Sequence, residues 1–181
     1  EGKGQAVAAD IGNDSMYYRC DVSKEDQAHA LMDAVADRYG RLDILVNNAG
    51  AGGSRVPIDE FPPDDWRYKI DVDLHGTFYC SQGALKYMLP QGSGCIINIA
   101  SIAGVVPLRL QIAHDSAKAA IIKMTEAMAL EVSPRGVRVN TISPGSTLTD
   151  GTRGLFYGED AASRDRRDQM LSFVPLGRPG E

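Results

Sequence analysis

Three short strand-like runs, at residues 42–46, 95–100 and 137–142, are separated by long helical patterns at 64–89 and 112–132. That alternation limits the fold more than any other feature. A crossover helix returns the chain to the same end of a sheet before the next strand starts, so successive strands pair in parallel. Only Asp43 interrupts the first run, the pattern of a strand covered on both faces. The expected architecture is α/β, a doubly wound parallel sheet in three α/β/α layers.

Upstream of these runs, residues 5–11 read as the end of a helix and 16–20 as a short buried strand closing on Asp21 and Val22. Ser23 is the expected cap of the next helix, with Asp26 three places later and a stripe of Ala28, Leu31, Met32, Val35 and Ala36 ending at Gly40. The turn Asn47-Asn48-Ala49-Gly50-Ala51-Gly52-Gly53 follows the first apolar run. It is rich in residues that tolerate positive φ. The 64–89 helix carries a polar stretch at Asp71, Asp73 and His75 and a glycine, Gly76, and Pro90 is expected to stop it. From Ser146 onward the pattern changes to a polar loop through Gly158 and a charged segment, 159–168, leading to Met170, Leu171, Phe173 and Val174. A helical flap over the crevice accounts for both, and so does an exposed loop with a surface helix.

With 181 residues and 43% hydrophobic content, the chain holds enough apolar material for a single domain. Its net charge is −5 and its Lys and Arg residues are scattered, which argues against nucleic-acid binding. No apolar run is long enough to cross a bilayer and no signal-peptide core opens the sequence, so a cytoplasmic location is expected. Cys20, Cys80 and Cys95 are unclustered and set in apolar surroundings. They read as reduced core thiols, with no metal site.

Chemistry is concentrated at two places. Ser101 ends the second apolar run, where an open α/β sheet presents its crevice. His114, thirteen positions further, and Lys118 lie four apart on one helix face. A hydroxyl, an imidazole and an ammonium at one point suit a carbonyl/alcohol redox site.

Asp21-Val22, Asn47-Asn48-Ala49-Gly50, Ser101, Lys118, and Pro144-Gly145 with Thr149 occur in an order and spacing that resembles the short-chain dehydrogenase/reductases. The stretch 143–150 is similar to that of dihydrodiol-oxidising members, such as 2,3-dihydro-2,3-dihydroxybenzoate dehydrogenase. The resemblance implies a Rossmann-like fold, NAD or NADP as cofactor, and a small alcohol or ketone as substrate. It implies that Asp21 and Val22 meet the adenine, that Asn48, Ala49 and Gly50 line the dinucleotide cleft, and that Ser101 holds the substrate oxygen. Lys118 would hold the nicotinamide ribose, and Pro144, Gly145, Thr147 and Thr149 would grip the nicotinamide end. Taken singly, Asp21 also reads as a cap, Ser101 as a strand-end turn residue and Lys118 as a surface cation.

Two positions depart from the family pattern. His114 stands where the family has its catalytic tyrosine, and Asp73 where it has an asparagine. Histidine starts near pKa 6.5 against about 10 for a phenol, and Lys118 would lower it further. Unpaired, His114 would be neutral at pH 7, a base for alcohol oxidation and a poor acid for ketone reduction. A carboxylate at Asp73 within hydrogen-bond reach would favour the imidazolium and orient the ring.

The resemblance also implies truncation at both ends, without the amino-terminal glycine-rich βα unit that holds pyrophosphate and without a final helix and strand. Gly50-Ala51-Gly52-Gly53 reads as a cleft turn, and Asp10 lies too late to select between NAD and NADP. Val105, Val106, Pro107 and Leu108 would border the substrate pocket and Leu155, Phe156 and Tyr157 the flap, suiting an apolar or cyclic compound. Family members assemble as tetramers or dimers through the two long helices, and Ala113, Ala117, Ala120 and Ala127 fit close helix contact or ordinary core packing. A catalytically impaired protein that binds nucleotide or a partner, and a structural subunit, are the alternatives to an active oxidoreductase.

Overall fold

The computed structural model describes residues 2–12, 14–149, 152–157 and 161–180. Three parallel strands, β1 (Ile44–Asn47), β2 (Gly94–Ile99) and β3 (Val137–Ile142), pair in the order β1-β2-β3. The register places Asn47 beside Asn98 and Asn98 beside Thr141. The helices are α1 (Gly2–Ile11), α2 (Glu25–Tyr39), α3 (Pro63–Ile70), α4 (Gly76–Gln91), α5 (Ile112–Val132), α6 (Arg153–Tyr157) and α7 (Ala161–Leu171). Parallel pairing through crossover helices follows the sequence expectation.

Strand side chains alternate between faces. On one face Ile96, Val137 and Val139 are buried and join Ala28 and Met32 of α2, Ala84 and Met88 of α4 and Val132 of α5 in the main core. The other face, predicted to be covered as well, leaves Ile44, Val46 and Ile142 more than half exposed. No described helix covers them. A hollow of about 650 Å³ opens there, bordered by Ile44, Ile97, Arg138 and Ile142.

Several local expectations are corrected. Residues 16–20 form no strand, because an extended segment becomes one only by pairing and no described strand lies beside it. Ser23 does not cap α2; its N–H and hydroxyl both donate to Asp21 Oδ1, at 3.0 and 2.7 Å, so Asp21 closes the turn before the helix. Pro90 lies inside α4, which runs to Gln91 and ends on Gly92 in the left-handed region. The long 64–89 helix is one path in three parts: α3, a π-helical turn at Asp71–His75, and α4. The wider turn falls on the polar stretch that interrupts the apolar pattern, and such bulges concentrate at functional sites. Gly76, the first residue of α4, packs closely on Val22, since a Cβ there would stand 2.8 Å from Val22 Cγ2.

Residues 146–148 are tied to the carboxyl-terminal segment through Gly180, whose N–H donates to the Ser146 carbonyl at 2.8 Å and whose carbonyl accepts from Leu148 N–H at 2.9 Å. Residues 158–160 of the expected flap lie outside the described residues. Among the described residues no helix is long and apolar enough to cross a membrane, and no group of three His, Cys, Asp or Glu side chains is placed to hold a metal.

Candidate active site

The carboxyl ends of β1 and β2 are joined by a chain of buried amides and hydroxyls. Asn47 Nδ2 donates to Ser81 Oγ at 2.9 Å and to Asn98 Oδ1 at 2.8 Å, and Asn98 Nδ2 donates to Thr125 Oγ1 at 2.8 Å. Every member is satisfied, so the network specifies how both strands meet α4 and α5. Asn47 thus faces inward while Asn48, Ala49 and Gly50 lie exposed at the strand end. A cavity of about 110 Å³ is bordered by Val22, Asn47, Asn48, Ala49 and Gly76. It brings Val22 and the Asn48-Ala49 turn, two separate pieces of the expected dinucleotide site, to one cleft. Asp21 is exposed beside it.

Ser101 follows β2 and starts a short 3₁₀ turn at Ile102–Gly104, its Oγ accepting from Ala103 N–H at 3.1 Å. Ile102 N–H donates to the Pro144 carbonyl at 2.9 Å, which ties this turn to the loop after β3. The turn rests directly on α5. A Cβ added at Gly104 would lie 2.7 Å from the Lys118 carbonyl carbon and 2.8 Å from its oxygen. Only glycine permits that approach, and it places the Ser101 turn against the helical turn that carries Lys118.

Lys118 is 7% exposed, and its Nζ donates to the Ile99 carbonyl at 2.9 Å and stands 3.6 Å from Asp73 Oδ2. Burial pushes its ammonium below the usual lysine range; Asp73 opposes that and Lys69 adds to it. His114, one turn earlier, is half-buried. Its pKa is lowered from the ordinary histidine value, first by burial and then by Lys69 and Lys118, with Asp73 and Asp115 pulling the other way. The helix bearing it is entered through Leu110, whose φ of 64° is left-handed, a strained conformation for a side chain of this size.

Asp73 does not pair with His114. Its carboxylate is fully buried in the π-helical turn, where Oδ1 accepts from Ala51 N–H at 2.8 Å and Oδ2 lies 3.0 Å from Lys69 Nζ, an ion pair without a hydrogen bond's alignment. The imidazolium the sequence allowed therefore lacks its orienting acid, and at His114 the two cations are opposed by Asp115 and by the carboxylate of Asp73. Its backbone carbonyl is also engaged, accepting from Thr77 Oγ1 at 2.6 Å.

Lys69 is the residue that sequence reasoning missed. It is 5% exposed and also donates to the Ala51 carbonyl. The signal was its spacing: Lys69, Asp73 and Thr77 recur every four residues and so share a helix face. At the nicotinamide end expected from the sequence, Thr147 Oγ1 donates weakly to the Gly145 carbonyl at 3.3 Å. Thr149 and Thr152 exchange hydrogen bonds, with Thr149 N–H donating to Thr152 Oγ1 at 2.8 Å and Thr152 N–H to Thr149 Oγ1 at 3.2 Å, at the entrance to α6.

A parallel sheet with its crossover helices, and with the Ser101 turn packed on the helix that carries His114 and Lys118, defines a Rossmann-type scaffold. The family model described as short chain dehydrogenase matches residues 1–160, and the chain belongs to that family. D-threitol dehydrogenase of Mycolicibacterium smegmatis (strain ATCC 700084 / mc(2)155) is 38% identical over 177 residues, covering 96% of this chain and 65% of that protein. Among solved structures, NAD+-bound xylitol dehydrogenase superposes with a TM-score of 0.88 at 30% identity, covering 99% of this chain and 72% of the other. ElxO with NADP bound gives a TM-score of 0.83 at 31% identity, covering 91% and 65%. The chain thus spans about two thirds of the length of these relatives.

Proposed function

We propose that this chain carries the site of an NAD(P)-dependent oxidoreductase that interconverts a secondary alcohol and a ketone, with His114 as proton carrier. The observation that supports it most is the close packing of the Ser101 turn, through Gly104, on the turn of α5 that carries Lys118, with His114 one turn earlier on the same helix.

The residues fit a dinucleotide. Val22 offers an apolar wall beside the exposed Asp21 and Asn48, and Lys118, with three donors, keeps one beyond its bond to the Ile99 carbonyl and its ion pair with Asp73. Asp21 and Val22 would meet the adenine, Asn48, Ala49 and Gly50 the middle of the cofactor, and Lys118, Pro144, Gly145, Thr147 and Thr149 the nicotinamide side. Nicotinamide, when bound, supplies the hydride acceptor for alcohol oxidation and the donor for ketone reduction.

The chain's own part is orientation and proton handling. Ser101 holds the substrate oxygen by its hydroxyl. His114, neutral at pH 7 because burial and two ammonium groups disfavour its charge, takes the alcohol proton at a ring nitrogen. Lys118 stabilises the alkoxide character that develops on the substrate oxygen. This arrangement favours oxidation, since a neutral imidazole is a poor donor to a ketone. Val105, Val106 and Leu108, all exposed after the Ser101 turn, form an apolar rim for the substrate. The relatives' names, D-threitol dehydrogenase and xylitol dehydrogenase, support an alcohol as substrate.

Fluorescence titration of the chain with NADH and NADPH, followed by turnover of a panel of cyclic alcohols and polyols by wild type and His114→Tyr, tests the reading. Nucleotide binding with alcohol oxidation supports it. Binding without turnover in either protein removes the enzyme and leaves a nucleotide-binding relative.

A further inference from the structure

Lys69 is placed as no surface lysine would be. Its ammonium lies in the interior against the Asp73 carboxylate, 3.0 Å from Oδ2, and donates to the carbonyl of Ala51. The other side of the same residue is held too, because Ala51 N–H donates to Asp73 Oδ1 at 2.8 Å. One ion pair on the central helix therefore grips both the N–H and the C=O of Ala51, the residue that follows Asn48-Ala49-Gly50. Asp73 Oδ2 is also 3.6 Å from Lys118 Nζ, so the same carboxylate reaches α5. Burying a charge pair in this way is costly unless the groups are held by further partners, and here the further partners belong to the turn after β1 and to the helix that carries His114.

We propose that Lys69 is a positioning residue of the candidate redox site: paired with Asp73, it clamps the Ala51 end of the cleft turn onto the π-helical turn and adds a second positive charge beside His114. Its mechanical part stands on the contacts alone, and its consequence for proton transfer rests on the oxidoreductase reading. The clamp acts through fixed partners on both sides of Ala51, so losing either charge releases the turn. The electrostatic part acts through space. Burial disfavours the charged imidazole most, Lys69 and Lys118 add to that, and Asp73 and Asp115 oppose them, so removing the Lys69 charge takes away one of the two ammonium groups that hold the His114 titration down.

Two readouts on the 181-residue chain test this without substrate. Amide hydrogen exchange at Ala51 reports the clamp, and NMR titration of the His114 ring reports the field. In Lys69→Met, protection at Ala51 should fall roughly tenfold or more, the scale of a hydrogen bond to a charged group, while the amides of β2 and β3 keep theirs. The His114 midpoint should rise. Lys69→Arg should retain the wild-type His114 midpoint. Unchanged Ala51 protection in Lys69→Met would overturn the clamp, and an unchanged His114 midpoint would reduce Lys69 to a structural lysine. Should Lys69→Met fail to fold, Lys69→Gln, which keeps a donor for the Ala51 carbonyl but no charge, carries the same readouts with the same directions expected. NADH titration in parallel separates the two claims: a wild-type chain that binds no dinucleotide ends the redox reading, while Ala51 exchange and the His114 midpoint still decide the role of Lys69.

Discussion

Replacing Gly104 by alanine tests the placement of Ser101 most sharply. The added Cβ would meet the Lys118 carbonyl carbon at 2.7 Å, its oxygen at 2.8 Å and Ala119 N at 2.9 Å, all backbone atoms of a 21-residue helix that cannot yield. The 3₁₀ turn must retreat instead. It is held to Ser101 by the Gly104 N–H to Ser101 carbonyl bond at 3.0 Å and to the Pro144 loop through Ile102, so the strain passes to both sides of the site. Overpacking of this kind costs about 1–3 kcal/mol. With a urea dependence of about 2 kcal/mol per molar, the unfolding midpoint should fall by roughly 0.5–1.5 M at unchanged slope. Gly53→Ala is the control, since nothing lies within 4 Å of a Cβ there, and it should shift the midpoint by little. Where the chain turns over alcohol, a retreat of about an ångström at Ser101 should also cost on the order of a hundredfold in rate. A Gly104→Ala midpoint equal to that of Gly53→Ala would refute the close packing of the Ser101 turn on α5.

Other perturbations follow from the same geometry. Asp73→Ala leaves the Lys69 ammonium buried without its counter-ion and Ala51 N–H without its acceptor, which should cost about 3–5 kcal/mol in chemical denaturation, with part recovered in Asp73→Ala/Lys69→Met; an unchanged midpoint in the single variant would contradict the buried pair. Burial pushes the Cys80 thiol up to about 11, so native protein at pH 8 should show negligible alkylation of Cys80 by iodoacetamide, read by peptide mass spectrometry, and rapid reaction at that position in folded protein would contradict its burial.

Much of the scaffold was readable because its signals are local and periodic. The strand-like runs around β1, β2 and β3 and the helical pattern of α5 depend on sequence spacing alone, and so does the stacking of His114 over Lys118. What escaped depends on partners distant in sequence. Residues 16–20 have a strand's composition but, among the described residues, no strand beside them, and no local pattern reports that. Ser23 and Asp21 are both good capping residues, and only the backbone path decides that the carboxylate accepts. Asp73 looked like a partner for His114 because both chemistries suit that role. The structure spends that carboxylate on Lys69 and Ala51, 4 residues before it and 22 before it in the chain. Lys69 itself was hidden by an ordinary prior, that a lysine on a helix is solvated. The four-residue spacing to Asp73 was visible, but the burial that gives it meaning was not.

The most direct measurement of the central claim is the pH dependence of alcohol oxidation in wild type and in His114→Tyr. A base must lose its proton before it can accept one from the alcohol, so the rate should rise as pH passes upward through the titration of that group. Burial, Lys69 and Lys118 place the His114 titration below its ordinary 6.5, and the wild-type rate should therefore have levelled off by neutral pH. In His114→Tyr the rise should move to higher pH, toward the phenol's range. Identical profiles in the two proteins would show that His114 does not carry the proton.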